Sequence, residues 1–187
     1  MPRLFTGFEV PPDVAFELSL MRGGLSGARW ITPDNYHVTL RFLGDIDGAT
    51  ARDFAYGLDD VHAEPIEVTI DALDFFGGDK PRALLARVKL SRDLADLQSE
   101  HEKLARRVGL PPEGRKFTPH VTLARMRQAS THAVAAWLGA RALFRSITFT
   151  AQRFVLFSSR DSVGGGPYLV EAQYPLGWRD EFAEQHA

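Results

Sequence analysis

The chain has 187 residues, of which 44% are hydrophobic and 25% charged, and a net charge of −2. That is the profile of an ordinary globular protein, one domain or two small lobes sharing a core, without the overall basic excess of a nucleic-acid binder. It contains no cysteine, which excludes disulfides, a thiol nucleophile, thiolate zinc sites and iron–sulfur ligation.

Read in chain order, Arg3–Val10 is rich in aromatic and β-branched residues and predicts a strand, ended by Pro11 and Pro12. A helix capped by Asp13 follows and runs to Gly23 and Gly24. Tyr36–Gly44 alternates as a strand, and Asp47–Val61 carries Phe54, Leu58 and Val61 at helical spacing. Ile66–Phe76 and Arg82–Leu90 predict two strands, and Ser91–Val108, with Leu94, Leu97 and Leu104, an amphipathic helix. His120–Met126 predicts a strand, Ala133–Leu138 a short helix, and Ser146–Ser159 one long alternating strand. A glycine turn leads to a last strand, and residues 178–187 are expected to form a loose tail. Helices and strands mix throughout, so the class is α+β, with mixed α/β as the alternative. The pattern runs twice, which suggests two similar lobes within residues 1–187 and no linker between them.

The tetrapeptide His-Val-Thr-Leu occurs at His37–Leu40 and again at His120–Leu123. The repeat alone is weak evidence, but each copy begins a predicted strand. Side chains alternate along a strand, so His37 and Thr39 share one face, as do His120 and Thr122, while the valines and leucines are free to pack. An imidazole titrates near neutrality, and two of them can divide the work of base and acid. Threonine hydroxyls can donate to an anion held between them. Phosphoryl transfer asks mainly for this kind of positioning and charge stabilisation.

A single His-x-Thr is more often structural, and the motif offers one good metal ligand rather than two. No His-x-x-x-His or nearby carboxylate pair completes a metal site, and no Gly-x-Ser-x-Gly signals a serine hydrolase. The other histidines, His62, His101, His132 and His186, are read as surface residues. Charge is uneven: Arg106–Arg127 holds six basic residues against one acid, and Arg141–Arg160 four arginines and no acid. Such stretches attract anions or are solvated faces.

The stretches RWITPDNYHVTLRFLGDI and FTPHVTLARM resemble the paired His-x-Thr motifs of the 2H phosphoesterases, and more closely the bacterial and archaeal RNA 2′,3′-cyclic phosphodiesterases, also called 2′-5′ RNA ligases. The likeness extends to RLFTGFEVPPDV, PRALLARV and PYLVEAQYPL and covers nearly the whole chain.

The resemblance implies a bilobal fold of two pseudo-symmetric lobes around a central cleft, with no metal or other cofactor. It implies hydrolysis of a 2′,3′-cyclic phosphate on RNA 3′ ends or nucleotides to a 2′-phosphomonoester, with 2′-5′ ligation as the reverse chemistry. His37 is then the proton donor and His120 the acceptor, with Thr39 and Thr122 on phosphate oxygens. Arg125 matches the arginine that usually follows the second motif, although alternation sets it on the face opposite Thr122 unless the strand bulges. Arg41 shares the face of Thr39 and is a second candidate for ligand contact. Phe117 is expected to pack rather than to stack on a base. The alternatives are an RNA-binding module that uses the cleft without turnover, and a phosphodiesterase for another cyclic or 2′-5′-linked nucleotide.

No apolar run is long enough to span a bilayer, and the N-terminal MPRLFTGFEVPPD lacks the apolar region of a signal peptide. A monomeric cytoplasmic protein without membrane partners is expected.

Overall fold

The structure, a computed structural model, describes residues 3–160 and 166–177. In chain order it contains β1 (Arg3–Glu9), α1 (Pro12–Ser19), β2 (Ala28–Trp30), a 3-10 turn (Pro33–Asn35), β3 (His37–Gly44), α2 (Gly48–Leu58), β4 (Ile66–Phe76) and β5 (Ala83–Val88). There follow α3 (Arg92–Arg107), β6 (His120–Met126), α4 (Thr131–Gly139), β7 (Ile147–Ala151), β8 (Arg153–Ser159) and β9 (Tyr168–Pro175). The expected α+β class holds. Gly164 and Gly165 of the expected glycine turn, and the expected tail, lie outside the described residues. No described helix is long and apolar enough to cross a membrane.

The helices start where side chains supply their first hydrogen bonds. Ser91 accepts from the Leu94 N–H at 3.2 Å to open α3, Asp47 accepts from the Thr50 N–H at 2.9 Å to open α2, and Ser130 accepts from the Ala133 N–H at 3.1 Å to open α4. Helix α1 departs from expectation: it begins at Pro12 without a side-chain cap, and Asp13 lies inside its first turn. Proline suits that position because its missing N–H has no helical partner there. Along α3 the buried stripe is Leu94, Leu97, His101, Leu104 and Ala105. His101 is therefore a core residue, not the surface residue expected. Its spacing of four from Leu97 and three from Leu104 places it on the apolar face.

All nine described strands join one antiparallel sheet, in the order β7-β4-β5-β6-β3-β1-β8-β9, with β2 also paired to β6. Between β6 and β3 a single pair, Val38 opposite Val121, joins one half of the sheet to the other. The predicted long strand Ser146–Ser159 is instead two. β7 pairs with β4 at one end of the sheet, and β8 pairs with β1 and β9 toward the other. Only Gln152 separates them, so the sheet must curl enough to bring its two ends within a few residues' reach. No glycine or proline marks the break, which is why the stretch reads as one strand; the only local sign is a change of phase, with Gln152 and Arg153 both exposed between buried Ala151 and Phe154. The helices cover one face of this curled sheet over a continuous apolar core that includes Phe8, Leu18, Phe54, Leu58, Val121 and Leu123.

Candidate active site

Each motif histidine opens one of the two strands that meet at the Val38–Val121 pair. Because those strands are antiparallel, His37 lies toward Thr122 and His120 toward Thr39. All four side chains line one cleft of about 560 Å³ on the sheet face away from the helices. The expected convergence of the two motifs is what the structure shows.

The two imidazoles are held in the same way. His37 Nδ1 lies 2.9 Å from the carbonyl of Asn35, and His120 Nδ1 lies 2.7 Å from the carbonyl of Thr118. A carbonyl only accepts, so each ring carries its proton on Nδ1, and Nε2 is the atom left for the cleft. Neighbouring backbone anchors both approaches. The Tyr36 carbonyl accepts from Val10 N–H at 3.4 Å, and the Pro119 carbonyl accepts from Val88 N–H at 3.0 Å.

The rings differ in their surroundings. His37 packs between Phe5, at 4.9 Å between centroids, and the edge of Tyr168, at 4.8 Å. Phe5, Val155 and Phe157 form a small apolar cluster on this side of the sheet, apart from the main core. His120 meets the edge of Phe76 at 4.8 Å. Burial in that aromatic surround pushes the pKa of His37 down to about 4, opposed by its bond to the Asn35 carbonyl and reinforced by the charges of His120 and Arg125. His120 is also lowered, by burial first and then by Arg125.

Two β-bulges decide what else enters the cleft. In β6 the pairing with β5 jumps from Leu85–Thr122 to Leu84–Ala124, so Leu123 and Ala124 both face the packed side. The alternation is thereby reset and Arg125 returns to the cleft face, where it lines the cavity. In β3 the pairing with β1 jumps from Gly7–Thr39 to Thr6–Arg41. There Leu40 and Arg41 both face the packed side, and Phe42 takes the cleft position.

Arg41 is consequently not in the cleft, contrary to the expectation from simple alternation. It is 7% exposed and pairs with Glu102, Nε to Oε2, at 2.6 Å. Phe117 packs against the core, as expected. His62 and His132 are exposed, and His186 lies outside the described residues.

Sequence reasoning missed the aromatic lining (Phe5, Phe42, Phe76 and Tyr168) and the cations Arg3 and Arg115. The first basic stretch, Arg106–Arg127, does supply Arg115 and Arg125 to the cleft. In the second stretch, Arg141 stacks over Trp137 at 4.0 Å and donates to the Met21 and Gly23 carbonyls, while Arg153 pairs with Glu9 at 2.6 Å. These two arginines are occupied in holding the fold. Among the described residues, no cluster of three or more histidine, aspartate or glutamate side chains has the geometry to hold a metal ion.

The sequence matches the family described as LigT like Phosphoesterase twice, over residues 8–85 and residues 87–168. It is 28% identical to the RNA 2′,3′-cyclic phosphodiesterase of Bacillus subtilis, covering 83% of this chain and 87% of the relative. It is 29% identical to the protein of that name from Aquifex aeolicus, covering 94% and 97%. The crystal structure of E. coli LigT complexed with 3′-AMP superposes with a TM-score of 0.74 at 19% identity, over 95% of this chain and all of the other. With 160 of its residues inside the two matched segments, this chain belongs to the LigT-like phosphoesterase family.

Proposed function

We propose that this chain hydrolyses a 2′,3′-cyclic phosphate, at an RNA 3′ end or on a nucleotide, to a 2′-phosphomonoester without a metal ion. The observation that carries the reading is the pair of imidazoles in one cleft, each with Nδ1 tied to a carbonyl and each next to a threonine. The names of the curated relatives point to the same substrate class.

In the proposed reaction the cyclic phosphate sits between the two strands, with Thr39, Thr122 and Arg125 on its oxygens. Nε2 of His120 takes a proton from water as the water oxygen bonds to phosphorus. The P–O3′ bond breaks, and Nε2–H of His37 protonates O3′ as it leaves. Burial holds both imidazoles below the usual histidine range, His37 at about 4, so the reaction draws on the singly protonated state of a coupled pair. A 5′-hydroxyl in place of water would yield a 2′-5′ linkage by the same path.

The test is incubation with RNA ending in a 2′,3′-cyclic phosphate, in EDTA, followed by identification of the product. A 2′-phosphate end is expected. A 3′-phosphate product overturns the assigned leaving group, activity only with an added divalent ion overturns the metal-free chemistry, and binding without turnover makes the cleft an RNA-binding module.

A further inference from the structure

Arg41 spans more than its ion pair. Its Nη2 donates to the Pro111 carbonyl at 2.6 Å, and its Nη1 donates to the carbonyl of Phe42. The second oxygen of Glu102 accepts the Glu113 N–H at 3.2 Å. The Glu113 carboxylate in turn accepts from Arg115, through its N–H at 3.1 Å and its Nε at 3.2 Å. One buried guanidinium and one carboxylate on α3 thus tie residues 111–115, in the loop before β6, to both β3 and α3. That loop brings Arg115 to the cleft and ends at the Thr118 carbonyl that orients His120.

We propose that Arg115 is a second anion-binding position at the rim of the cleft, taking a backbone phosphate of the RNA strand upstream of the terminal cyclic phosphate. Arg41 and Glu102 are the positioning residues that hold its loop in reach. This rests on the cyclic phosphodiesterase reading of the same cleft.

The two cations that differ most in placement argue for it. Arg125 stands on a strand, and its charge depresses both histidines. Arg115 enters from a loop with its side chain 81% exposed and is paired, among the described residues, with the Glu113 carboxylate at 3.2 Å. An exposed pair of this kind is weak, and a phosphate can compete for the guanidinium. A substrate longer than one nucleotide must set its next phosphate outside the reaction centre, and such contacts position a strand without reading its sequence. Arginine's planar fork suits a phosphate diester.

The experiment compares the wild type, R115A, R41K and the double variant on a nucleoside 2′,3′-cyclic phosphate and on a trinucleotide ending in one, across a range of salt. R115A is expected to lower kcat/KM at least about fivefold more for the trinucleotide than for the mononucleotide, mainly through KM. The slope of log kcat/KM against log salt for the trinucleotide should flatten by about 0.7, the value for one phosphate contact on a single strand. R41K keeps the charge but loses the fork, and should move the same substrate ratio without moving it further in the double variant. Equal losses on both substrates, or an unchanged salt slope, would make Arg115 a solvated loop cation. A double variant whose effects simply multiply would separate Arg41 from the loop. Failure of the wild type on both substrates is a different result, visible before any variant is made, and overturns the reading of the cleft itself.

Discussion

Phe42 and Arg125 occupy equivalent positions in the two halves of the sheet: each stands five residues after its motif histidine, behind a one-residue bulge, facing the cleft. The same backbone device thus presents an apolar ring on one side and a cation on the other, so that beside the motif pair the positive charge comes from the Arg125 side of the cleft. Replacing Arg125 with alanine removes a charged hydrogen-bond donor, and kcat/KM should fall by about 10- to 100-fold. The charge of Arg125 also disfavours protonation of both histidines. R125A should therefore move the pH optimum upward as well as lowering the rate, and an optimum that stays put or moves down would contradict the geometry.

Each histidine side chain is hydrogen-bonded to its own strand's approach, His37 to Asn35 and His120 to Thr118, and otherwise makes ring contacts at the cleft. H37A and H120A should each lower kcat by about 10²- to 10⁴-fold, the usual contribution of a positioned acid or base. Their far-ultraviolet circular dichroism should match the wild type. Retention of more than a tenth of the activity in either variant would remove that ring from the mechanism.

The free enzyme should work best on the acid side of 6.5. As pH falls through the lower of the coupled pKa values, both rings are protonated and the base is lost. As pH rises through the upper one, both are neutral and the acid is lost. Both histidines are held below 6.5, with His37 at about 4, so the bell in kcat/KM should have its maximum below that value. A bound phosphate anion stabilises imidazolium, and the kcat profile should lie at higher pH than the kcat/KM profile. Coincident profiles, or a kcat/KM maximum above pH 7, would show that the rings do not titrate as this pair.

Which parts of this site the sequence reveals follows from what alternation encodes. His37 and Thr39, like His120 and Thr122, are two residues apart with no bulge between them, so their shared face is legible directly. Arg41 lies in a bulge and Arg125 just beyond one, and neither bulge carries a local signature: Leu40-Arg41 and Leu123-Ala124 read as continued alternation until the neighbouring strands impose their register. The break at Gln152 carries no glycine or proline, and its one local sign is the adjacent polar pair Gln152-Arg153, where alternating β7 gives way to β8, buried from Phe154 to Ser159. His101 was legible in principle from the stripe it shares with Leu97 and Leu104. Its polarity masked that signal, because an imidazole is buried only when it finds a partner such as Thr6, 2.7 Å away.

Gly7 sets how closely β1 approaches the strand bearing His37. It sits at the bulge opposite Thr39, and a Cβ there would stand 2.3 Å from the Val38 carbonyl oxygen, a backbone atom that cannot yield without displacing β3. Gly7→Ala should cost about 1–3 kcal/mol by overpacking, and should lower kcat in the fraction that remains folded. Gly139→Ala is the control, since nothing lies within 4 Å of a Cβ built there. Thermal melts and kinetics of the two variants check this, and a Gly7→Ala protein with wild-type kcat would show that β3 tolerates the shift.

His101 should make the fold acid-sensitive. It is 0% exposed, its ring meets the edge of Phe154 at 4.7 Å, and Nε2 has no partner among the described residues. Burial drives its pKa down to about 3. The unfolded chain binds a proton at this residue below about 6.5 that the folded chain refuses, so stability rises with pH in that window. The contribution is full above 6.5 and is lost as pH falls toward 3, at about 1.4 kcal/mol per pH unit once the unfolded histidine is charged. His37 and His120 shift in the same direction and add to the slope. His101→Phe keeps a ring against Phe154 while deleting the titration, so the difference between the two proteins isolates His101. Urea unfolding between pH 7.5 and 5 should show a shallower decline for His101→Phe, approaching one proton fewer taken up on unfolding. Parallel declines would mean that the ring is already neutral in the unfolded chain over this range, or charged in the folded one.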